Sequence, residues 1–444
     1  MHSDTTSDNP QFWLSRKIEL RWVIVLLALA LLVRCSNLVY RVPIWGDEPS
    51  YRMIAVNILE GKGFQEGHYY AWRYPGYCYF IAGTLLLEKQ TGSEPFAART
   101  TVAAQILMSV LGCYLLYRLI KQIFGTRAAL IALALITFYI PQIRLPGRLF
   151  SENLSLPLFL LFWCIYISFR KRPSFLNVLG MGVCAGVVGL CRETALAFIL
   201  VVLIAELATR MRAVRLSALA PILGVFLFLG LTLSPWLIRN YLLFHKITSI
   251  TTNAPINIYY GAQPNATGFC TMDNLGPPYS LVLVEPPNTS HRHDPANGIY
   301  EEIEVGRSQL QASIDYVRHN PLAWTLLGFK KAAYSWVLPS MTFFNPQSKT
   351  EQVFAHIWDA NYLLILIPGL MGAWRLRRRF FELLPGYSTL IVPTFLSILT
   401  VVLTRYRMPT DFGLILFASV QYAFWWEGRL SRSSKTELAD ASLS

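Results

Sequence analysis

The sequence predicts an all-α polytopic membrane protein with about ten transmembrane helices. Three observations carry that expectation. Of its 444 residues, 54% are hydrophobic and only 15% are charged, against about 45–50% and about 25% in soluble globular chains. The apolar residues gather into long runs, and a helix needs about 20 of them to cross the hydrocarbon core. The 39 Lys and Arg outnumber the 26 Asp and Glu, and the surplus sits in short clusters between those runs. That is the positive-inside pattern of membrane proteins, not the basic face of a nucleic-acid binder. The expected partner is therefore the lipid bilayer, with no nucleic acid.

The elements follow in order. A polar stretch, 1–21, precedes the first apolar run from Trp22 to Tyr40. No small-residue cleavage site follows that run, so it is expected to be retained as a helix. A loop of mixed charge continues to about Arg73, and Pro75 to Leu87 is too short to span, which predicts a juxtamembrane helix. Further spans are predicted near Ala97–Leu119, Ala128–Ile140 and Leu154–Phe169. Two more flank Arg192-Glu193, and others cover Leu216–Ile238 and Tyr362–Trp374. The last two end at Arg405 and run from Met408 to Trp426.

Between the seventh and eighth spans lies the longest hydrophilic stretch, rich in Pro, Asn, Gly and Tyr. It leads into an amphipathic segment, Pro321 to Pro339, whose Lys330 and Lys331 suggest the membrane surface. The division is thus a cytoplasmic tail over 1–21, a membrane domain over 22–426 with a long outer region at 239–340, and a cytoplasmic tail over 427–444. A cytoplasmic N-terminus places every strong basic cluster, Arg170-Lys171-Arg172 among them, on the cytoplasmic side.

The seven cysteines form no disulfide framework. Cys35, Cys113, Cys164, Cys184 and Cys191 lie in or beside apolar runs, Cys78 and Cys270 are expected in loops, and none has metal-ligand spacing. His291 and His293 have no metal pattern either. Neither a metal nor a cofactor is expected.

The same topology gathers the unusual charges on the outer face. Asp47-Glu48-Pro49-Ser50-Tyr51 opens a helix, since proline suits the first helical position and an acidic residue before it can cap the free amides. Taken alone the pair fits capping better than chemistry, with Glu48 beside Arg52. As a site, Asp47 could take a proton or hydrogen bond from a hydroxyl. Glu152 begins the fourth span and could face Asp47, or simply pair with Arg148 four residues earlier. Arg73, Arg192, Arg239 and Arg405 each lie at the outer edge of an apolar run. Their planar forks suit an anionic lipid phosphate, although interfacial snorkelling explains each one singly. Tyr69, Tyr70, Trp72, Tyr74 and Tyr77 are dense beside them, as an interfacial aromatic belt or as a surface for a sugar.

Together these motifs resemble the GT-C superfamily of integral-membrane glycosyltransferases, in particular bacterial proteins related to protein O-mannosyltransferases and to the lipid A aminoarabinose transferase. Trp45-Gly46-Asp47-Glu48-Pro49-Ser50-Tyr51 resembles the first-loop acidic motif, and Arg73-Tyr74-Pro75-Gly76-Tyr77 the basic-Pro-Pro-x-Tyr segment. Arg148-Leu149-Phe150-Ser151-Glu152 occupies the second acidic position. Leu190-Cys191-Arg192-Glu193-Thr194, Arg239-Asn240-Tyr241 and Arg405-Tyr406-Arg407-Met408-Pro409 follow in family order. The chain departs from the pattern at Tyr74, where a second proline is usual, and at Arg73, where lysine is common.

The resemblance implies a monosaccharide donor on polyprenyl phosphate and an extracytoplasmic acceptor, either a glycoconjugate or a protein hydroxyl. It implies Asp47 as base, Glu48 and Glu152 shaping the field, and Tyr51, Arg73, Tyr77, Arg148, Arg192, Arg239 and Arg405 around the substrate. It also implies inversion at the anomeric carbon and a bacterial inner-membrane location. The rival readings are a transporter or flippase of lipid-linked sugars and an O-antigen polymerase or ligase. Transporters tend to place charge at the bilayer midplane, whereas these charges cluster at one face.

Overall fold

The computed structural model describes residues 16–39, 46–90, 99–212, 216–268, 301–339 and 349–441. Trp45, Cys270, His291 and His293 lie outside them. In chain order the helices are α1 (Arg16–Val39), α2 (Glu48–Leu59), α3 (Pro75–Gln90), α4 (Arg99–Phe124), α5 (Thr126–Phe138), α6 (Ile140–Arg144), α7 (Glu152–Lys171) and α8 (Phe175–Cys191). They continue as α9 (Glu193–Met211), α10 (Leu216–Phe244), α11 (Ala254–Gly261), α12 (Glu301–His319), α13 (Pro321–Tyr334), α14 (Lys349–Arg375), α15 (Leu384–Leu399) and α16 (Met408–Ala441). Strands are absent among the described residues, where the one extended pairing is an isolated bridge between Glu66 and Tyr69.

Each predicted span appears as a helix, but they differ in length. Six helices, α1, α4, α7, α9, α10 and α14, are long and apolar enough to cross a membrane. A seventh span forms if α5 and α6 count together across their 60° bend. The α3, α8 and α15 helices are shorter apolar elements. At about 1.5 Å per residue, a helix the length of α8 falls short of a hydrocarbon core about 30 Å thick.

The bundle carries apolar side chains outward and polar ones inward. Leu32, Leu107, Leu176 and Trp374 are exposed, while Arg34, Gln105, Glu152 and Arg192 are buried. This is the arrangement a lipid-facing surface needs. Close helix contacts use small residues, as lipid-embedded interfaces do. A β-carbon on Gly182 of α8 would lie 2.7 Å from the Val225 carbonyl of α10, so these two helices meet backbone to backbone.

The α5–α6 bend is held from α1. Arg34 donates from Nη2 to the Ile136 carbonyl at 3.1 Å, from Nη1 to Thr137 at 3.5 Å, and from Nε to Ser109 at 2.8 Å. Ending α5 leaves its last carbonyls without helical donors, and in an apolar interior those groups need partners. Asn37 reaches the Ile143 carbonyl at 2.6 Å on the far side of the bend. The broken helix is thereby fixed where it delivers the segment from Leu145 to Glu152.

Two expectations are corrected here. Cys78 lies within α3 and is fully buried, because the aromatic run around it continues as a helix. Lys331 is not at the surface: it is fully buried, with Nζ on the carbonyls of Gly261 at 3.0 Å and Thr400 at 2.8 Å. The exposed face of α13 is instead Leu322, Leu326 and Phe329.

Candidate active site

Asp47 stands at the N-cap of α2, after Gly46 at φ +67°, and its side chain makes no capping hydrogen bond. Its Oδ1 lies 3.0 Å from Arg73 Nη1, and its Oδ2 forms an ion pair with Arg405 Nη2. The capping expectation for Asp47 is therefore corrected. Two guanidiniums offer stronger, charge-assisted donors than the helix amides do. Burial alone would push the Asp47 carboxyl up, but Arg405 and then Arg73 hold it far below the usual carboxylate range. The side chain remains 22% exposed.

Arg73 is braced from behind. Its Nε donates to Ser50 Oγ at 2.7 Å, and Ser50 in turn donates to the buried Glu66 carboxylate. Its guanidinium lies 5.5 Å from the Tyr51 ring, within cation–π range. Tyr51 packs edge-on against Tyr77 with centroids 4.9 Å apart. The Tyr77 hydroxyl donates to Gln105 at 2.5 Å, and Gln105 donates to the carbonyls of Pro146 and Arg148. Tyr77 is thus held through its hydroxyl, and Tyr51 packs between Tyr77 and the Arg73 guanidinium. Gly76 lets α3 approach the end of α8, since a β-carbon there would lie 2.9 Å from Cys191 Sγ and 3.1 Å from the Leu190 carbonyl. That contact brings the Arg73 segment beside the Arg192 turn.

Arg405 lies in the short 3-10 turn Thr404–Arg407 before α16. Its guanidinium sits 5.1 Å from the Phe150 ring and 5.5 Å from Tyr406. Its Nε is buried without an acceptor among the described residues, so one charge-assisted donor is left for an anionic oxygen.

The second tier of charge is drier. Glu48 accepts from the Leu149 amide at 2.8 Å and pairs with Arg148 Nε at 2.9 Å. Arg148 is thus given to Glu48, while Glu152 pairs with Arg192 at 3.1 Å, both nearly inaccessible. Arg192 also donates to Ser151 Oγ at 3.1 Å and lies 5.3 Å from the Tyr406 ring. The Tyr406 ring therefore touches both Arg192 and Arg405, which links the buried pair to the partly open one.

Arg239 stands apart from this cluster. Its Nη1 donates to the Tyr70 carbonyl at 2.7 Å and to Asn240 Oδ1, and its Nη2 to the Phe64 carbonyl at 3.3 Å. Ser50, Glu66 and Tyr406 join the site although they were not singled out from sequence. Ser50 is three residues after Asp47, one helical turn on, which is a signal of sorts. Glu66 carries none, since only the fold turns it back onto Ser50. Among the described residues no three His, Cys, Asp or Glu side chains are grouped to hold a metal ion.

This geometry can be set beside known proteins. Residues 75–238 match the family model described as dolichyl-phosphate-mannose-protein mannosyltransferase. That stretch includes Glu152 and Arg192 but not Asp47, Arg73 or Arg405. No curated protein matches significantly. Among solved structures, the Archaeoglobus fulgidus oligosaccharyltransferase AglB, in complex with an inhibitory peptide and a dolichol-phosphate, superposes with a TM-score of 0.56 at 14% identity. The alignment covers 96% of this chain and 52% of AglB. Its apo form gives 0.54 at 13% identity, over 96% and 53% of the two chains. This chain therefore spans about half the length of the oligosaccharyltransferase it matches. ArnT from Cupriavidus metallidurans, bound to undecaprenyl phosphate, gives a TM-score of only 0.43 at 14% identity over 91% and 78% of the two chains. The chain is thus similar to dolichyl-phosphate-mannose-protein mannosyltransferases over α3 to α10, and it shares its helical fold with the AglB oligosaccharyltransferase.

Proposed function

We propose that the protein transfers a monosaccharide from a polyprenyl-phosphate donor to an acceptor hydroxyl on the extracytoplasmic side, with inversion. One observation carries the reading: a partly exposed carboxylate, Asp47, bridges two arginines, Arg73 and Arg405, beside a buried Glu152–Arg192 pair. The two oxygens of Asp47 occupy both guanidiniums much as two phosphate oxygens would. The mannosyltransferase family match over residues 75–238 and the dolichol-phosphate bound to AglB agree with a lipid-phosphate donor.

In the reaction the acceptor oxygen attacks the anomeric carbon as the bond from that carbon to the phosphate oxygen breaks. The electron pair leaves with the polyprenyl phosphate, which needs charge stabilisation more than protonation. Arg73 and Arg405 supply it, and the orphaned Nε of Arg405 adds a donor. The acceptor proton passes to Asp47. Without donor, Asp47 is a weak base because both arginines stabilise its ionised form. A donor phosphate that shares those arginines lessens this stabilisation and raises the basicity of Asp47 when the acceptor must be deprotonated. Glu48, Glu152, Arg148 and Arg192 set the field and hold the surrounding backbone. Both termini lie on the cytoplasmic side in this reading, with the site facing away from it.

The test is transfer or release of sugar by purified protein from a labelled polyprenyl-phosphate-sugar pool. Asp47→Asn is expected to abolish it while the melting profile holds. Full activity in that variant removes Asp47 from the mechanism. Movement of intact donor across vesicles without bond cleavage would replace the enzyme by a transporter.

A further inference from the structure

The segment just before Arg73 is gripped at nearly every backbone polar group. Glu302, in the first turn of α12 and 1% exposed, accepts the Tyr70 amide on Oε1 at 3.0 Å and the Ala71 amide on Oε2 at 3.4 Å. One carboxylate thus binds two consecutive amides. Arg239, near the end of α10, takes the carbonyl of the same residue, Tyr70, at 2.7 Å. The Thr252 amide donates to the Ala71 carbonyl at 2.9 Å, and Asn253 to the Trp72 carbonyl at 2.9 Å. Thr252 also places its hydroxyl on Glu302 Oε2 at 2.8 Å. Ala71 is fully buried and Trp72 nearly so.

Buried backbone groups need partners in any fold, but here the partners at residue 70 are charged side chains, and hydrogen bonds to charged groups are stronger than neutral ones. Two charges of opposite sign, the buried Glu302 and the half-buried Arg239, reach the backbone of residue 70 from two different helices. Arg73 follows three residues later and must hold its guanidinium between Ser50, Tyr51 and Asp47. A displacement of about 1 Å in such a group can cost about a hundredfold in rate.

We propose that Glu302 and Arg239 are positioning residues that clamp the 70–72 backbone and so present Arg73 to the donor phosphate. The assignment rests on the reading of Arg73 as a phosphate ligand. It gives the outer region a part in the reaction: α12 and the end of α10 lock a segment that arrives from the first loop. Arg239 then acts through the backbone without touching substrate.

The test uses the full chain in detergent or nanodiscs, with undecaprenyl phosphate alone as the probe and hydrogen exchange as the structural readout. Arg73→Ala is expected to weaken binding by about 10–100-fold, the loss of a hydrogen-bonded charge. Glu302→Ala and Arg239→Ala are each expected to weaken it by about tenfold, with faster exchange confined to residues 64–73. Glu302→Gln, which keeps an accepting oxygen, should fall between wild type and Glu302→Ala. Arg239→Lys should restore only part of the loss, because lysine lacks the fork that spans two carbonyls.

Where Glu302→Ala does not fold, Thr252→Val decides. It removes only the hydroxyl that steadies Oε2, and exchange over 64–73 should still rise. Wild-type exchange and affinity in the Glu302 and Arg239 variants, alongside lost binding in Arg73→Ala, would overturn the proposal and leave the glycosyltransferase reading standing. Unchanged binding in Arg73→Ala would instead remove Arg73 as a phosphate ligand, and the proposal would fall with it.

Discussion

Among the described residues, two places hold a carboxylate between two arginines, one at each end of α9. Near its start, Asp47 meets Arg73 and Arg405 beside the Arg192 turn. Near its end, Glu206 meets Arg210 at 2.8 Å and Arg170 at 3.8 Å. The chemistry of the parts is the same and their use differs. Arg210 is four residues from Glu206 on one helix, Tyr166 adds a hydroxyl at 3.1 Å, and Arg210 also donates to the Ala218 carbonyl. That cluster ties α7, α9 and the start of α10 together, so it is a staple. The Asp47 cluster draws its members from positions 47, 73 and 405, all at helix starts or turns. One of its arginines still has a buried donor without an acceptor. A staple satisfies itself, whereas a site keeps a donor for its ligand.

The largest expected effect separates the two clusters by activity. Asp47→Asn should lower transfer by about 10²–10⁴-fold, the usual range for losing a general base. Glu206→Gln should leave transfer within about twofold, since it lies far from the reacting atoms. A fall in transfer for Glu206→Gln as large as for Asp47→Asn would erase the distinction.

Next comes the buried tier. Glu152→Ala leaves Arg192 buried without its carboxylate, which should cost about 3–5 kcal/mol of stability in a denaturation curve. Arg405→Lys keeps the charge but loses the planar fork and the orphaned Nε. Its donor affinity should fall by about tenfold with little change in melting. In the staple Glu206 is itself buried, but Glu206→Gln keeps an accepting oxygen for Arg210, so it should lower stability by about 1–3 kcal/mol, less than Glu152→Ala.

The smallest effect is in pH. The folded-state carboxyl of Asp47 lies below its unfolded value, so the unfolded chain binds more protons as the medium acidifies. Its contribution to stability is complete above the unfolded value of about 4 and is lost as pH falls through the depressed folded value. The difference in unfolding midpoint between wild type and Asp47→Asn should therefore be flat from about pH 7 to about pH 5 and shrink only below. A difference that declines already between pH 7 and pH 5 would show that the two arginines do not hold Asp47 in the folded protein.

How far the site was legible follows from where its parts lie. Asp47, Glu152, Arg73, Arg192 and Arg405 stood out because charge at the outer edge of an apolar run works against the membrane, so a reason for it is expected. Their pairing was not legible. Local spacing favoured Glu48 with Arg52 and Glu152 with Arg148, yet the fold gives Arg148 to Glu48 and Arg192 to Glu152. Glu302 carries no such signal, and Lys331 reads as interfacial, for the same reason. A charged residue in a polar or amphipathic stretch looks solvated until other elements close over it. Lys331 is covered by the segments at Gly261 and Thr400, and its amine falls to about 8 because burial disfavours the charged form.

What the sequence determined by itself was the class of molecule, the number and order of its apolar helices, and the set of charges too costly to be accidental. Those are properties of composition and period, which each segment carries alone. What only the tertiary structure decided was which charge meets which. The α5–α6 bend delivers Glu152, the contact at Gly76 brings the Arg73 segment against the Arg192 turn, and the grip on Tyr70 fixes the backbone that leads to Arg73. Contacts between residues far apart in the chain have no local signature, and in this protein such contacts distinguish the site from the staple.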